Sequence, residues 1–588
     1  MPIQTATTQD ARGYRRVLLA ALVLGLLSTV TGLLSDDYLH FATLDGLATP
    51  ARPLELYNFG DGDPERMAEH IATGPHPWFV LPEFKLRFFR PLTCATMWAD
   101  HAVFGRWSPG YHLHSALWYV AVVAAVMLLF RRGLPGGVGV LALLFFTVDE
   151  GHLLPVGWWS NRNALVACAF AVAGLAAHLR WREGGWRPGL PLSLGCYVTG
   201  FLGGEAALGI MAYLGAWELL AGPGRLARRI AALLPAAALS VAYLAGYGAL
   251  GYGVHGSAGY LSPFSETAHF LGQAPDRFLR MVACLVVGIP PETNFETLPG
   301  WVPGAVAAVG LAVLIRAAWP SLAEGERRTL RWMLAGACLA GVPTLSAMPS
   351  GRLYLLPSIG FAAVLAVLLR HGWRLAWGWR HAAWKALTLY LVAVQLGLST
   401  LVWPAGVVYA VLETSKDAAS IRAFGEGESL AGKKAVVLTS PDTTKAVYAP
   451  YALHYHGYAV PDAWWCATLA SYAKEITRTA PDTLEVALLD RPLLSRSFEA
   501  IMRRHEFPLR AGDVVRARGL EVTVLEADDT GVWRFEMRFA GSLDNDVYRL
   551  VLWNADRSAF EVVPTMAVGE RIRVTERHRR LGPGEELP

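Results

Sequence analysis

The chain has 588 residues, of which 53% are hydrophobic and 17% charged, and its mean hydropathy is +0.33. These values exceed what a water-soluble globule carries and define a polytopic, α-helical membrane protein. With 52 basic against 48 acidic residues the net charge is +4, too small for this length to be an electrostatic footprint for nucleic acid, and no nucleic-acid partner is expected.

Arg12, Arg15 and Arg16 precede a first apolar run over 17–34. No small-residue cleavage site follows, so the run is read as a retained signal anchor. At about 1.5 Å per residue it reaches roughly 27 Å, close to one hydrocarbon thickness. It ends in Leu34-Ser35-Asp36-Asp37-Tyr38, which places two adjacent carboxylates where the helix should emerge into water. Such a pair can hold a cation or take a proton from an acceptor hydroxyl at the bilayer boundary. Further apolar runs lie at 113–130, 134–148, 164–179, 190–202, 206–220, 230–250, 302–315, 333–347, 353–369 and 386–411, for about 11 transmembrane helices in all.

Basic clusters at 131–132, 180–187, 225–229, 327–331 and 370–380 all fall on the side of the N-terminus. By the positive-inside rule the N-terminus is cytoplasmic and the protein sits in the inner or plasma membrane. One segment, 277–289, is apolar but short and carries Arg280. It is read as an interfacial or re-entrant helix on the outer face, with a short true span as the alternative.

After the last span the composition turns polar and strand-like. In Trp533-Arg534-Phe535-Glu536-Met537-Arg538-Phe539 apolar and charged residues alternate, the pattern of an antiparallel strand with one wet face. Two domains are expected: a transmembrane module over 1–411 that includes an outer loop at 35–112, and an extracytoplasmic α+β domain over 412–588. No internal repeat is visible. Five of the six cysteines lie in or beside apolar segments without metal-ligand spacing, and only Cys466 reads as exposed.

Two local patterns are decoys. Gly427-Glu428-Ser429-Leu430-Ala431-Gly432-Lys433-Lys434 lacks the hydroxyl of a phosphate loop, and a strand should follow it. His454 and His456 could share one face of a strand as metal ligands, but no third ligand has a recognisable spacing.

The informative polar residues gather in the loops on the outer side. Asp36 and Asp37 come from the first, Arg90 from Phe88-Phe89-Arg90-Pro91-Leu92, His152 and Arg162 from 149–163, Glu205 from 203–205, and Arg352 from 349–352. Carboxylates with several guanidiniums suit transfer from a phosphate-activated donor: the carboxylate deprotonates the acceptor and planar arginine forks neutralise the departing phosphate. Each has a plainer reading as well. Asp36-Asp37 could be a solvated helix end, Arg90 and Arg352 interfacial side chains, and Glu205 a partner for a helix dipole.

This pattern resembles the GT-C superfamily of integral-membrane glycosyltransferases, and its tetratricopeptide-associated branch in particular. The likeness lies in Asp36-Asp37, in Phe89-Arg90-Pro91-Leu92 followed by Gly110-Tyr111-His112-Leu113-His114, and in His152, Trp158 and Arg162. It continues in Gly204-Glu205 and in Arg352-Leu353-Tyr354-Leu355-Leu356-Pro357. The chain departs from the branch where a His-Pro pair is replaced by Asp149-Glu150 and a Glu by Leu154. The likeness covers roughly residues 17–370 and leaves the C-terminal domain unexplained.

The resemblance implies a GT-C-like fold and a membrane glycosyltransferase that moves a sugar from a polyprenyl-phosphate donor to an acceptor of the envelope, by an inverting hexosyl or pentosyl transfer. Asp36 or Asp37 would be the base or, with a divalent cation, the group that orients the donor phosphate. Arg90 and Arg352 would hold that phosphate, and His152, Arg162, Glu205 and Tyr354 would line the substrate site. The alternatives are a transporter or flippase for a lipid-linked substrate, and an inactive scaffold whose C-terminal domain binds envelope components.

Overall fold

A computed structural model describes residues 8–47, 54–294, 297–375, 382–496, 498–577 and 580–581. The last part of the 370–380 basic cluster lies outside them. Each expected apolar run is largely helical. Among the described residues seven helices are long and apolar enough to cross a membrane: Gln9–Val30, Ser108–Gly133, Trp159–Gly184, Leu226–Ala249, Val302–Ser321, Leu355–Leu375 and Ala382–Gly427. Gly136–Val148 and Glu150–Gly157, bent by 50°, would make an eighth. Gly189–Gly203, Ile210–Leu220 and Glu324–Ala340 occupy the remaining expected positions with 15, 11 and 17 residues.

Leu355–Leu375 is buried without interruption from Leu355 to Leu369, as expected of a helix that is apolar all round and stands at the centre of its bundle. Gly360 lets it lie directly on the backbone of Met333, a contact that any side chain would block. The 277–289 segment belongs to a longer helix, Thr267–Val287. Its Arg277 donates to the carbonyls of Leu345 and Ala347 at 2.8 and 2.9 Å, and its Arg280 to Asp276 at 2.8 Å. Arg280 also donates to the carbonyls of Pro291 and Thr293, so both arginines are satisfied by polar groups of their own helix or of nearby turns.

The last apolar run extends far beyond its hydrophobic part. Ala382–Gly427 has 46 residues, roughly 69 Å at about 1.5 Å per residue, more than twice a hydrocarbon core. Residue 411 falls inside this continuous helix, and Ile421 and Phe424 near its end pack into the C-terminal core. That core is built on two sheets. In the smaller, Lys434–Val437 pairs in parallel with Ala463–Cys466 on one side and with Tyr548–Asn554 on the other, and Ala559–Val563 forms an edge. In the larger, of seven strands, Gly531–Phe539 pairs antiparallel with both neighbours; Phe535, Met537 and Phe539 are buried in the expected alternation, but a register shift between Val532 and Phe535 buries Val532 in place of Trp533, which is half-buried.

Two expectations are corrected here. Cys466 is buried, because all four residues of its strand are enclosed between elements of the domain. His454 lies on a helix, Thr443–Tyr455, that crosses between the two parallel strands, so it shares no strand face with His456.

The first loop does not stand apart from the C-terminal domain. Leu56, Met67, Ile71, Trp78 and Phe84 share one hydrophobic core with Trp464, Val486 and Phe535. Trp78 donates its indole N–H to the Ala467 carbonyl at 3.1 Å, and Trp465 donates to those of Ile71 and Ala72, each at 3.1 Å. Gly74, at φ +97°, closes the Pro64–Thr73 helix directly against the Trp464 backbone. Strands Asn58–Asp61, Lys85–Arg87 and Gly253–His255 then tie the first loop to the loop that follows Leu226–Ala249.

Candidate active site

The first membrane helix ends through Ser28–Val30 and a turn in which Ser35 takes φ +48°, a left-handed conformation unfavourable for a residue with a side chain. This reversal points the chain into the Asp37–Leu44 helix, with Asp36 just before its first turn. Held backbone strain at such a place is a recurrent property of functional sites.

Asp37 is fully buried and committed. Its Oδ1 accepts from the Ser160 backbone N–H at 2.7 Å and from the Ser160 hydroxyl, and its Oδ2 accepts from the Leu34 N–H at 3.0 Å. Asp36 is half-buried. Its Oδ1 accepts from the Trp158 indole N–H at 2.9 Å, and the Arg352 guanidinium lies over that same indole, 4.8 Å from the ring centroid. Among the described residues Arg352 forms no ion pair. Burial pushes both carboxyls above their ordinary range; the Arg352 charge opposes this at Asp36, whereas at Asp37 the charge of Asp36 adds to it. The two carboxyls therefore titrate as a pair.

A second group adjoins the first. Arg90 pairs with Glu205 at 2.9 Å, and Glu205 also accepts from the Phe89 N–H at 3.0 Å. The guanidinium lies 4.6 Å from the ring centroid of Tyr57 and 4.4 Å from that of Phe88. Tyr57 in turn donates its hydroxyl to the Ser160 carbonyl at 2.5 Å, so Ser160 links Asp37 to the ring that supports Arg90. His40 packs on Tyr57 at 5.0 Å with both ring nitrogens buried and unpartnered. Burial, followed by the charge of Arg90, pushes its pKa down to about 3, so it is a neutral imidazole.

The other sequence-selected residues lie elsewhere. Arg162 is fully buried in an ion pair with Asp100 and also donates to the Tyr111 carbonyl and to Ser115 at 3.0 Å. Trp159 adds an indole N–H to the same Asp100 carboxylate at 3.1 Å. His152 is enclosed among helices, 3.2 Å from the Ser358 hydroxyl and 3.4 Å from that of Tyr119. Tyr354 is packed in the helix-bundle core two residues beyond Arg352. Among the described residues no group of three His, Cys, Asp or Glu side chains could hold a metal ion. Asp37, with both oxygens engaged, has little left to offer one.

Ser160, Tyr57 and Asp100 take part in these contacts without standing out in the sequence, whereas Trp158 belongs to the motif that also holds His152 and Arg162. Asp100 carried a signal all the same, as a lone carboxylate in the apolar run Cys94-Ala95-Thr96-Met97-Trp98-Ala99 before His101. Nothing local marks Ser160 or Tyr57.

No family model and no curated protein matches the sequence. Several solved structures do resemble the chain. ArnT from Cupriavidus metallidurans bound to undecaprenyl phosphate is 14% identical over 77% of this chain and 90% of its own, with a TM-score of 0.37. Its apo state gives 15% identity, the same coverages and a TM-score of 0.39. The Archaeoglobus fulgidus oligosaccharyltransferase in its apo form is 12% identical over 76% of this chain and 64% of its own, with a TM-score of 0.41.

Proposed function

We propose that this protein is a membrane glycosyltransferase that moves a sugar from a polyprenyl-phosphate donor to an acceptor hydroxyl at the membrane surface. The observation that carries the reading is the grouping of the Asp36 carboxylate, the Trp158 indole and the unpaired Arg352 guanidinium at the end of the first membrane helix. The acceptor oxygen forms the new bond to the anomeric carbon as its proton passes to Asp36. The bond from that carbon to the phosphate oxygen breaks, and its electron pair leaves with the polyprenyl phosphate, whose added charge Arg352 neutralises. One base and no carboxylate nucleophile suffice, so the transfer inverts the anomeric configuration.

Arg90, already balanced by Glu205, flanks the phosphate from the far side of Tyr57. Asp37 acts through Ser160 to fix the turn that presents Asp36. In this reading the N-terminus is cytoplasmic and the C-terminal domain lies outside an inner or plasma membrane.

Binding of labelled undecaprenyl phosphate to the full chain in nanodiscs tests the assignment. Arg352→Gln should weaken binding about tenfold or more, as expected for loss of a charge-assisted phosphate contact, while Asp36→Asn retains it. Equal binding by wild type and Arg352→Gln would remove Arg352 from the site.

A further inference from the structure

We propose that the C-terminal domain completes the acceptor side of this site, with the Tyr448 hydroxyl holding a polar group of the acceptor beside Asp36. The inference rests on the glycosyl-transfer reading above and adds to it a residue that selects the acceptor.

The Thr443–Tyr455 helix of the C-terminal domain packs on the Asp37–Leu44 helix. Tyr455 meets Tyr38 at 5.5 Å and Phe41 edge-on at 5.0 Å, and His454 lies 2.8 Å from Asp45. Tyr448 precedes Tyr455 by seven residues. Two turns of helix, about 10.5 Å, separate them on one face, so Tyr448 looks toward the same partner helix. Burial pushes its phenol well above the ordinary tyrosine value, and Asp36 is the foremost charged neighbour that adds to this, with Tyr451, Tyr260 and Asp37 behind it. The phenol is consequently protonated and able to donate.

Tyr448 is half-buried and makes no hydrogen bond among the described residues. Its neighbour Tyr260 packs at a tilt against Phe88, 5.8 Å between centroids, the ring that the Arg90 guanidinium overlies, and bridges to Ala347. A partly open phenol with an unused donor, on the helix that docks against the one that the proposed base Asp36 precedes, is positioned to bind a second polar group of the molecule whose hydroxyl that base deprotonates. Tyr455, by contrast, spends its hydroxyl on the Arg106 carbonyl at 2.8 Å and serves the docking of the two helices.

The test uses the full chain in native membranes, supplied with radiolabelled undecaprenyl-phosphate monosaccharides. Label transferred to envelope material and label released to water as free sugar are measured together. Tyr448→Phe should lower the ratio of transfer to hydrolysis about tenfold, the effect of losing one hydrogen bond to the acceptor. Tyr455→Phe should lower thermal stability and reduce both products together, leaving the ratio alone. An unchanged ratio in Tyr448→Phe, with Asp36→Asn still abolishing both products, overturns the role of Tyr448 and leaves the glycosyl-transfer reading standing. Both products at wild-type level in Asp36→Asn, or neither from the wild type with any donor, would overturn that reading and this inference with it.

Discussion

A carboxylate that accepts three hydrogen bonds from groups fixed around it has little left for a substrate, and Asp37 is in that position, held by Leu34 and twice by Ser160. Asp36 differs because its indole partner also carries a cation on its face. The sequence presents the two as equivalent, since nothing in Leu34-Ser35-Asp36-Asp37-Tyr38 says which will turn inward. The assignment has a consequence for pH. Burial raises both carboxyls, so the acid limb of the transfer rate should lie above the ordinary carboxylate range of about 4. Arg352 lowers the pKa of Asp36. Arg352→Gln removes that charge, makes ionisation of Asp36 harder and should move the limb to higher pH. The pH profile of transfer at saturating donor checks both statements; a limb near 4 in the wild type, or a downward move in the variant, contradicts them.

At the scale of elements, the helices were legible because their signal is local: each apolar run is long enough to identify itself. Arg162 shows where that legibility ends. An arginine at the start of an apolar helix reads as a site residue, but its partner Asp100 lies 62 positions away, and the ion pair turns it into an enclosed support beneath Trp159. Arg90 and Glu205, 115 positions apart, were both selected, yet their pairing was not readable from either loop. The same limit hid the docking of the first loop on the C-terminal domain. Gly74 seats the Pro64–Thr73 helix on Trp464 with no room for a side chain, at a φ that L-residues avoid. Gly74→Ala should destabilise the protein by about 1–3 kcal/mol through overpacking and backbone strain. Thermal unfolding of the detergent-solubilised chain measures this, and an unchanged midpoint would argue against the tight seat.

For the molecule as a whole, the long Ala382–Gly427 helix and the core shared between the first loop and the C-terminal sheets join residues from both sides of position 411. Hydropathy falls near residue 411, while the helix itself continues to Gly427. The Thr443–Tyr455 helix also packs against the Asp37–Leu44 helix, so the proposed base and the proposed acceptor contact come from opposite ends of the chain. The central claim is that Asp36 performs the proton transfer in a glycosyl-transfer site that Asp37 supports. The most direct measurement is sugar transfer from radiolabelled undecaprenyl-phosphate donors by the reconstituted full chain, with Asp36→Asn and Asp37→Asn compared at equal folded concentration. The account predicts a loss of about 10²–10⁴-fold in Asp36→Asn with unfolding unaltered. In Asp37→Asn an amide opposing the Leu34 N–H should lower stability more than turnover. Transfer at the wild-type rate by Asp36→Asn would contradict the account.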